Sequence, residues 1–302
     1  MAGRYTAEIL LVLLMGIIVM IPETTGLSKS PPYPFHQTRT LSPKSHRVTP
    51  LHLYSSCALV EDQKTGEYLV KKNAKAIVPI ASITKIMTAM VLLDAGMDLQ
   101  ESLVIENHDV DTLRYSRSRL PVGTRLTRRE ALLLALMASE NRAANALSRT
   151  YPGGRDALVD AMNTKAHSMG LTETYFEDPA GLSGRNVSSA IDLARMVEVA
   201  HRYPLIRDFS TRKKATILSG RQKLTFHNTN QLVRNSRWRI GLSKTGYIDE
   251  AGRCLVMQAY VAHRPVLIVL LDAQGDAFRS GDARRIKQWM EGPPPSRKTR
   301  RA

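Results

Sequence analysis

A serine hydroxyl is a weak nucleophile at neutral pH. Acyl transfer from serine therefore needs a base within hydrogen-bond reach and donors for the developing oxyanion. The run Ser82-Ile83-Thr84-Lys85 offers such a pair. Positions i and i+3 share a helix face, so the Lys85 amine can meet the Ser82 hydroxyl, and a helix N-terminus at Ser82 would add positive potential at the reacting carbonyl. Further along, Lys244-Thr245-Gly246 closes the strand-like run Arg239 to Ser243, where a strand edge could present an ammonium and a hydroxyl to a bound carboxylate. Between them lies Ser139-Glu140-Asn141, the only S-x-N of the chain. It sits where one helical pattern ends and the next begins. Such a junction can aim side chains into a cleft, and it can equally be an ordinary helix cap, for which Ser and Asn are favoured.

Each motif is weak alone, because ordinary Ser and Lys frequencies give on the order of one S-x-x-K in a chain this long. A second copy exists, Ser210-Thr211-Arg212-Lys213, in a polar and strongly basic stretch with no apolar helical repeat after it, which predicts a solvated lysine. A second K-T-G, Lys64-Thr65-Gly66, occupies a predicted hairpin turn and reads as structural. Order separates the copies. Ser82, then Ser139 and Asn141, then Lys244 and Thr245 is the series shared by penicillin-binding proteins and class A β-lactamases, and neither duplicate completes it.

The elements that must position these residues follow from periodicity and breakers. Ser56 to Glu61 and Tyr68 to Lys71 read as a hairpin around Asp62 to Gly66. A helix with Ser82 at its N-terminus buries Ile86, Ala89, Met90 and Leu93 and stops at Gly96. Leu126 to Leu147, interrupted at Ser139, then Arg155 to Met169 and Ser189 to His201 form a helical block. Arg239 to Ser243, Arg253 to Val261 and Pro265 to Asp272 read as three antiparallel strands, and Ser280 to Glu291 as a closing amphipathic helix. Strands from both ends of the chain must therefore meet.

Composition bounds the setting. Lys and Arg number 43 against 27 Asp and Glu, a net charge of +16, which favours polyanionic surroundings. Aromatic residues are only 6%, and no helix-turn-helix, zinc-finger or RNP-like signature appears, so the charge reads as wall or membrane surface, with no nucleic-acid partner. The N-terminus carries Arg4 and then the apolar run Ile9 to Ile21, too short to span a bilayer comfortably, followed by a polar end with a cleavage region near Gly26. This predicts a signal peptide over 1–26 and export to the periplasm. Residues 27–50, rich in Ser, Pro and Thr, read as a flexible linker, 51–291 as the folded domain, and 292–302 as a Pro-rich basic tail. Cys57 and Cys254 sit in apolar strand-like runs and read as small buried hydrophobes. No metal-ligand spacing is present, and neither a metal nor a cofactor is expected.

From roughly Ser55 to Met290 the chain resembles the low-molecular-mass D-alanyl-D-alanine peptidases of the penicillin-binding superfamily. The likeness rests on Pro79 to Thr88, Asp178-Pro179-Ala180-Gly181-Leu182 and Leu242 to Tyr247. His227-Asn228-Thr229-Asn230 and Ala251 to Met257 are similar to its endopeptidase branch, the penicillin-binding protein 7 type. The resemblance implies an α/β (α+β) fold of β-lactamase/transpeptidase type: a five-stranded antiparallel sheet flanked by helices, plus a helical subdomain, with the site in the cleft between. It implies that Ser82 attacks a D-alanyl carbonyl of peptidoglycan, that Lys85 is the base, and that Ser139 relays a proton to the leaving amine. Asn141 would position the substrate, and Lys244, Thr245 and Gly246 would bind it. The backbone N–H groups of Ser82 and Tyr247 would form the oxyanion hole. β-Lactams would be covalent inhibitors, released slowly because the E-x-x-L-N glutamate that β-lactamases use for deacylation is missing. The chain stops before a second β-rich domain, which favours cutting cross-links over trimming terminal D-alanine. Carboxypeptidase activity and a non-catalytic wall-binding or β-lactam-sensing role are the alternatives.

Overall fold

The computed structural model describes residues 51–273 and 278–292. The expected signal peptide, the linker and the tail from Pro293 onward lie outside the described residues.

The chain enters through β1 (Ser55–Asp62) and turns into β2 (Tyr68–Lys72). The turn is closed by the Asp62 carboxylate, which accepts the Lys64 N–H at 2.8 Å, and by Gly66 at φ +74°. A short β3 (Val78–Pro79) leads to a single 3-10 turn, Ala81–Thr84, and then to α1 (Lys85–Asp94). Ser82 thus precedes the α-helix and does not open it, a correction to the sequence reading. The spacing still works, because a 3-10 turn eclipses positions i and i+3. Every residue of α1 from Lys85 to Leu92 is buried, so this helix is the axis of the helical subdomain and not an amphipathic surface element.

Around it pack the β4 (Ser102–Val104) and β5 (Arg125–Thr127) pair, α2 (Arg128–Met137), α3 (Asn141–Arg149) and α4 (Gly154–Ser168). Thr127 and Glu130 form a reciprocal capping box that starts α2. Next come β6 (Val187–Ser188), paired with β3, then α5 (Ala190–Ala200) and α6 (Pro204–Thr211). A separate hairpin follows, β7 (Lys214–Ser219) with β8 (Gln222–His227). The chain returns to the sheet through β9 (Arg239–Ile248), β10 (Gly252–Val261) and β11 (Arg264–Ala273), and ends its described part in α7 (Phe278–Glu291).

The main sheet has the order β2-β1-β11-β10-β9, antiparallel throughout, so strands from both ends of the chain do meet. Its inner strands are apolar on both faces because both faces are covered. Cys57, Leu59, Val256, Val269 and Leu271 join the large core shared with the helical subdomain. Their alternates Ala58, Val60, Leu255, Ile268 and Leu270 pack with Ala283 and Ile286 of α7 and with Trp238. Period-two alternation turns each apolar run into two cores. Cys57 and Cys254 are both buried, as expected. β11 runs between the strands that carry them, which separates their Cα atoms by about 10 Å. That exceeds the roughly 7 Å reach of a disulfide.

Three local readings need correction. β9 continues to Ile248, so Lys244-Thr245-Gly246 lies inside a strand and not at its end. The polar stretch around Ser210 is a helix, α6, opened by Pro204 and held by buried Ile206 and Phe209. The β7–β8 hairpin left no apolar repeat in the sequence because only Ile217 and Phe226 are buried. No helix among the described residues is long and apolar enough to cross a membrane.

Candidate active site

The 3-10 turn that carries Ser82 is locked by its neighbours. Ala81 takes φ +47°, and Thr84 Oγ1 donates to the Ala81 carbonyl at 2.8 Å. Two glycines press on this backbone. A Cβ on Gly181 would stand 2.0 Å from the Ala81 oxygen and 2.8 Å from the Ser82 nitrogen, and one on Gly246 would stand 2.8 Å from the Ile80 oxygen. Gly181 also has φ +74°, so both space and backbone exclude a side chain there. The K-T-G glycine is thus explained by close approach: β9 can lie against the serine turn only without a Cβ.

Lys85 Nζ is buried and donates to three oxygens: Ser82 Oγ at 2.9 Å, Asn141 Oδ1 at 2.7 Å and the Ala180 carbonyl at 2.6 Å. Burial holds its pKa down at about 8, against the pull of the Asp178, Glu140 and Asp111 carboxylates, which favour the ammonium. The two acceptors other than Ser82 fix the chemistry. A neutral amine has two N–H groups and one lone pair. With the N–H groups held by Asn141 and Ala180, the lone pair faces Ser82 and can accept its proton.

The Ala180 carbonyl is placed by Asp178. One carboxylate accepts from the backbone N–H groups of Ala180, Gly181, Leu182 and Ser183 and from the Asn186 amide, at 2.5 to 3.1 Å. Glu177, beside it, is engaged by Ser183 and Arg185 within the same loop.

On the opposite wall, Ser139 joins α2 to α3 at φ +59°, a left-handed conformation that costs a non-glycine residue about 1 to 3 kcal/mol. Glu140 caps α3, accepting the Arg142 N–H, and Asn141 is its first residue. The cleft reading of Ser139 and Asn141 therefore holds, and the cap expected from Ser or Asn is supplied by Glu140 between them. The strained turn aims the Ser139 hydroxyl at Lys244, whose Nζ donates to it at 2.8 Å and to the Thr245 carbonyl at 2.9 Å. Thr245 Oγ1 donates to Thr229 Oγ1 at 2.7 Å. Hydrogen bonds thus link Ser82, Lys85 and Asn141 in one group and Ser139 and Lys244 in another, with Gly246 packed on the serine turn. Tyr247 stands apart at the rim, exposed, with its hydroxyl on Asp249.

Residues 44–275 match the D-alanyl-D-alanine carboxypeptidase family. The chain belongs to this family. Among curated relatives it is 43% identical to a D-alanyl-D-alanine endopeptidase of Pseudomonas aeruginosa, over 92% of this chain and 87% of the relative. It is 41% identical to the Escherichia coli D-alanyl-D-alanine endopeptidase, over 78% of this chain and 77% of that one. The solved structure of a Streptomyces DD-transpeptidase superposes with a TM-score of 0.73 at 27% identity, covering 80% of this chain and 98% of that one. The fold expected from the sequence, a transpeptidase-like sheet with a helical subdomain, is the fold of this peptidase.

Sequence reasoning did not single out Ser116, whose Oγ accepts the Asn141 amide at 2.7 Å, or the roles of Ala180 and Thr229. The Asp178 to Leu182 and His227 to Asn230 strings had marked the right segments through family likeness alone. Ser116 left no signal, because a lone serine in a polar loop has none.

Proposed function

We propose that this chain is an exported serine D,D-endopeptidase that opens D-alanyl cross-links of peptidoglycan through an acyl-enzyme on Ser82. The observation that carries the reading is the buried Lys85 amine, 2.9 Å from Ser82 Oγ with its other two directions occupied. Neutral Lys85 takes the Ser82 proton as Oγ bonds to the D-alanyl carbonyl carbon. The oxyanion is received by the backbone N–H groups of Ser82 and Tyr247. The C–N bond then breaks as the proton taken up by Lys85 passes to the leaving amine by way of Ser139, which Lys244 holds, so that Lys85 is again neutral. Water hydrolyses the ester, returning Ser82. Asn141 positions Lys85 and the substrate amide, while Lys244, Thr245 and Gly246 receive the substrate's carboxylate end. A penicillin would acylate Ser82 by the same first step and leave slowly.

Cross-links are favoured as substrate because relatives at 43%, 41% and 34% identity are endopeptidases, whereas a carboxypeptidase of Bacillus subtilis is 30% identical. The family description itself supports the carboxypeptidase reading. Purified enzyme with cross-linked muropeptide dimers decides between them. Monomer formation is expected, and release of free D-alanine without monomer contradicts the endopeptidase reading. Export by the 1–26 signal peptide and the 51–291 domain boundary belong to the same proposal. So does peripheral wall or membrane association, supported by Arg237, Arg239 and Arg284 on the α7 side of the sheet, none of which has a carboxylate partner among the described residues.

A further inference from the structure

Between β4 and β5 the chain makes a loop that touches both walls of the site. Asp111 gathers it: its carboxylate accepts from the backbone N–H groups of Leu113 at 3.0 Å, Arg114 at 2.9 Å and Ser116 at 3.0 Å. Arg114 then reaches across, donating from Nε to the Leu182 carbonyl at 2.9 Å and from Nη2 to Glu250 at 2.7 Å. Leu182 belongs to the loop that aims Ala180 at Lys85, and Glu250 to the turn between β9 and β10. Ser116 closes the other side on Asn141. The polar anchors of its central stretch, residues 111–116, therefore run inward, to the residues that hold Lys85 or flank them, while the rest of the loop is tied to α3 and to the β7–β8 hairpin.

Within that stretch Leu113 and Tyr115 do the reverse, whereas Ile105 and Leu120 nearer the loop's ends are buried. Leu113 is 61% exposed and Tyr115 81% exposed, the highest exposure among the large hydrophobic residues described. Tyr115 also takes φ +53°, a conformation that a residue with a side chain adopts only when its surroundings impose it. Scattered exposed hydrophobes are ordinary on any surface. Two of them within three residues, on a pinned and strained loop one residue from Ser116, are not scattered. Such an arrangement gains nothing in folding, and its rigidity lowers the entropic cost of binding a ligand there.

We propose that Leu113 and Tyr115 are specificity-determining residues: an apolar platform at the lip of the cleft that holds the second peptide strand of a cross-link, through its D-alanyl methyl and the methylenes of its diamino acid. This rests on the endopeptidase reading. A monomeric stem peptide or a penicillin fills the inner site and lacks that second strand. The platform thus acts on cross-linked substrate and leaves acylation by small ligands alone.

The test compares wild type with Leu113→Ala, Tyr115→Phe and Tyr115→Gly on two readouts, cleavage of a cross-linked muropeptide dimer and acylation by labelled penicillin. Glycine suits φ +53°, so Tyr115→Gly removes the ring while relaxing the backbone, and its melting temperature should not fall. The platform predicts a drop of about tenfold in kcat/KM on the dimer for Tyr115→Gly, carried mainly by KM. Leu113→Ala should lose less and Tyr115→Phe little, with penicillin acylation unchanged in all three. Unchanged dimer cleavage in Tyr115→Gly overturns the proposal, as does an equal loss on dimer and penicillin, which would mark a structural role. A wild-type enzyme that acylates with penicillin yet cleaves only uncross-linked peptide overturns the endopeptidase reading and the platform together.

Discussion

The chain spells the same two motifs twice, and the copies had opposite fates. Lys85 and Ser82 are side by side, with the lysine buried on Asn141 and Ala180. In Ser210-Thr211-Arg212-Lys213 the serine is the buried member: its Oγ receives the Ser243 N–H at 3.3 Å and its carbonyl the Asn228 amide at 2.9 Å, while Lys213 lies exposed. The two K-T-G strings diverge in the same way. Lys244 and Thr245 are buried in β9, whereas Lys64, Thr65 and Gly66 form an exposed turn. What distinguishes a working motif from its twin is which member is taken from water and what receives its hydrogen bonds. A buried lysine among neutral acceptors becomes a base near pH 8. A lysine left in water undergoes no such desolvation.

That contrast can be broken by exchange. Removing a general base costs about 10² to 10⁴ in rate. Lys85→Ala should therefore lose penicillin acylation by roughly a factor in that range, and Lys213→Ala should acylate as wild type, both read by stopped-flow or gel-based labelling.

A second comparison sets Gly246 against Gly66. In Gly246→Ala the new methyl meets the Ile80 oxygen at 2.8 Å and the Ser82 nitrogen at 3.1 Å, which must shift the serine turn or β9. Acylation should fall by at least about tenfold, since misplacing reacting groups by ångströms is costly. Gly66→Ala meets nothing within 4 Å, and its strain at φ +74° should appear only as a loss of about 1 kcal/mol in thermal or denaturant unfolding.

The smaller effect is in pH. Lys85 titrates at about 8, below its ordinary 10.5, so the reactive amine is the minor form at pH 7. Acylation should rise by about tenfold per unit below that value and level off above it. The sign for stability is fixed by the same shift. Between 8 and 10.5 the unfolded chain binds the proton more readily than the folded one, so the Lys85 contribution grows as pH rises through that window and is lost as pH falls through 8. A flat acylation profile from pH 6 to 9 would remove Lys85 as the base.

Much of this was legible in the sequence for a physical reason. The strands β1, β10 and β11 are near-continuous apolar runs because both sheet faces are covered, and α1, buried all round, was legible from its length and its Gly96 stop and not from a polar stripe. Elements that bury little were not legible: α6 keeps three buried residues, and the β7–β8 hairpin two. Within the site, side chains that must react have few chemical alternatives, so Ser82, Lys85 and Lys244 announce themselves. A carbonyl such as Ala180 carries no side-chain signature, and its place depends on the hydrogen bonds Asp178 collects. Reading Ser82 as the first residue of an α-helix failed because a 3-10 turn and an α-helix share the i, i+3 contact that the motif requires.

The most direct test is intact-protein mass spectrometry after exposure to a penicillin, run on wild type, Ser82→Ala and Ser210→Ala. One covalent adduct is expected on wild type and on Ser210→Ala, and none on Ser82→Ala. An adduct persisting on Ser82→Ala, or lost only from Ser210→Ala, would contradict the assignment of Ser82 as the nucleophile.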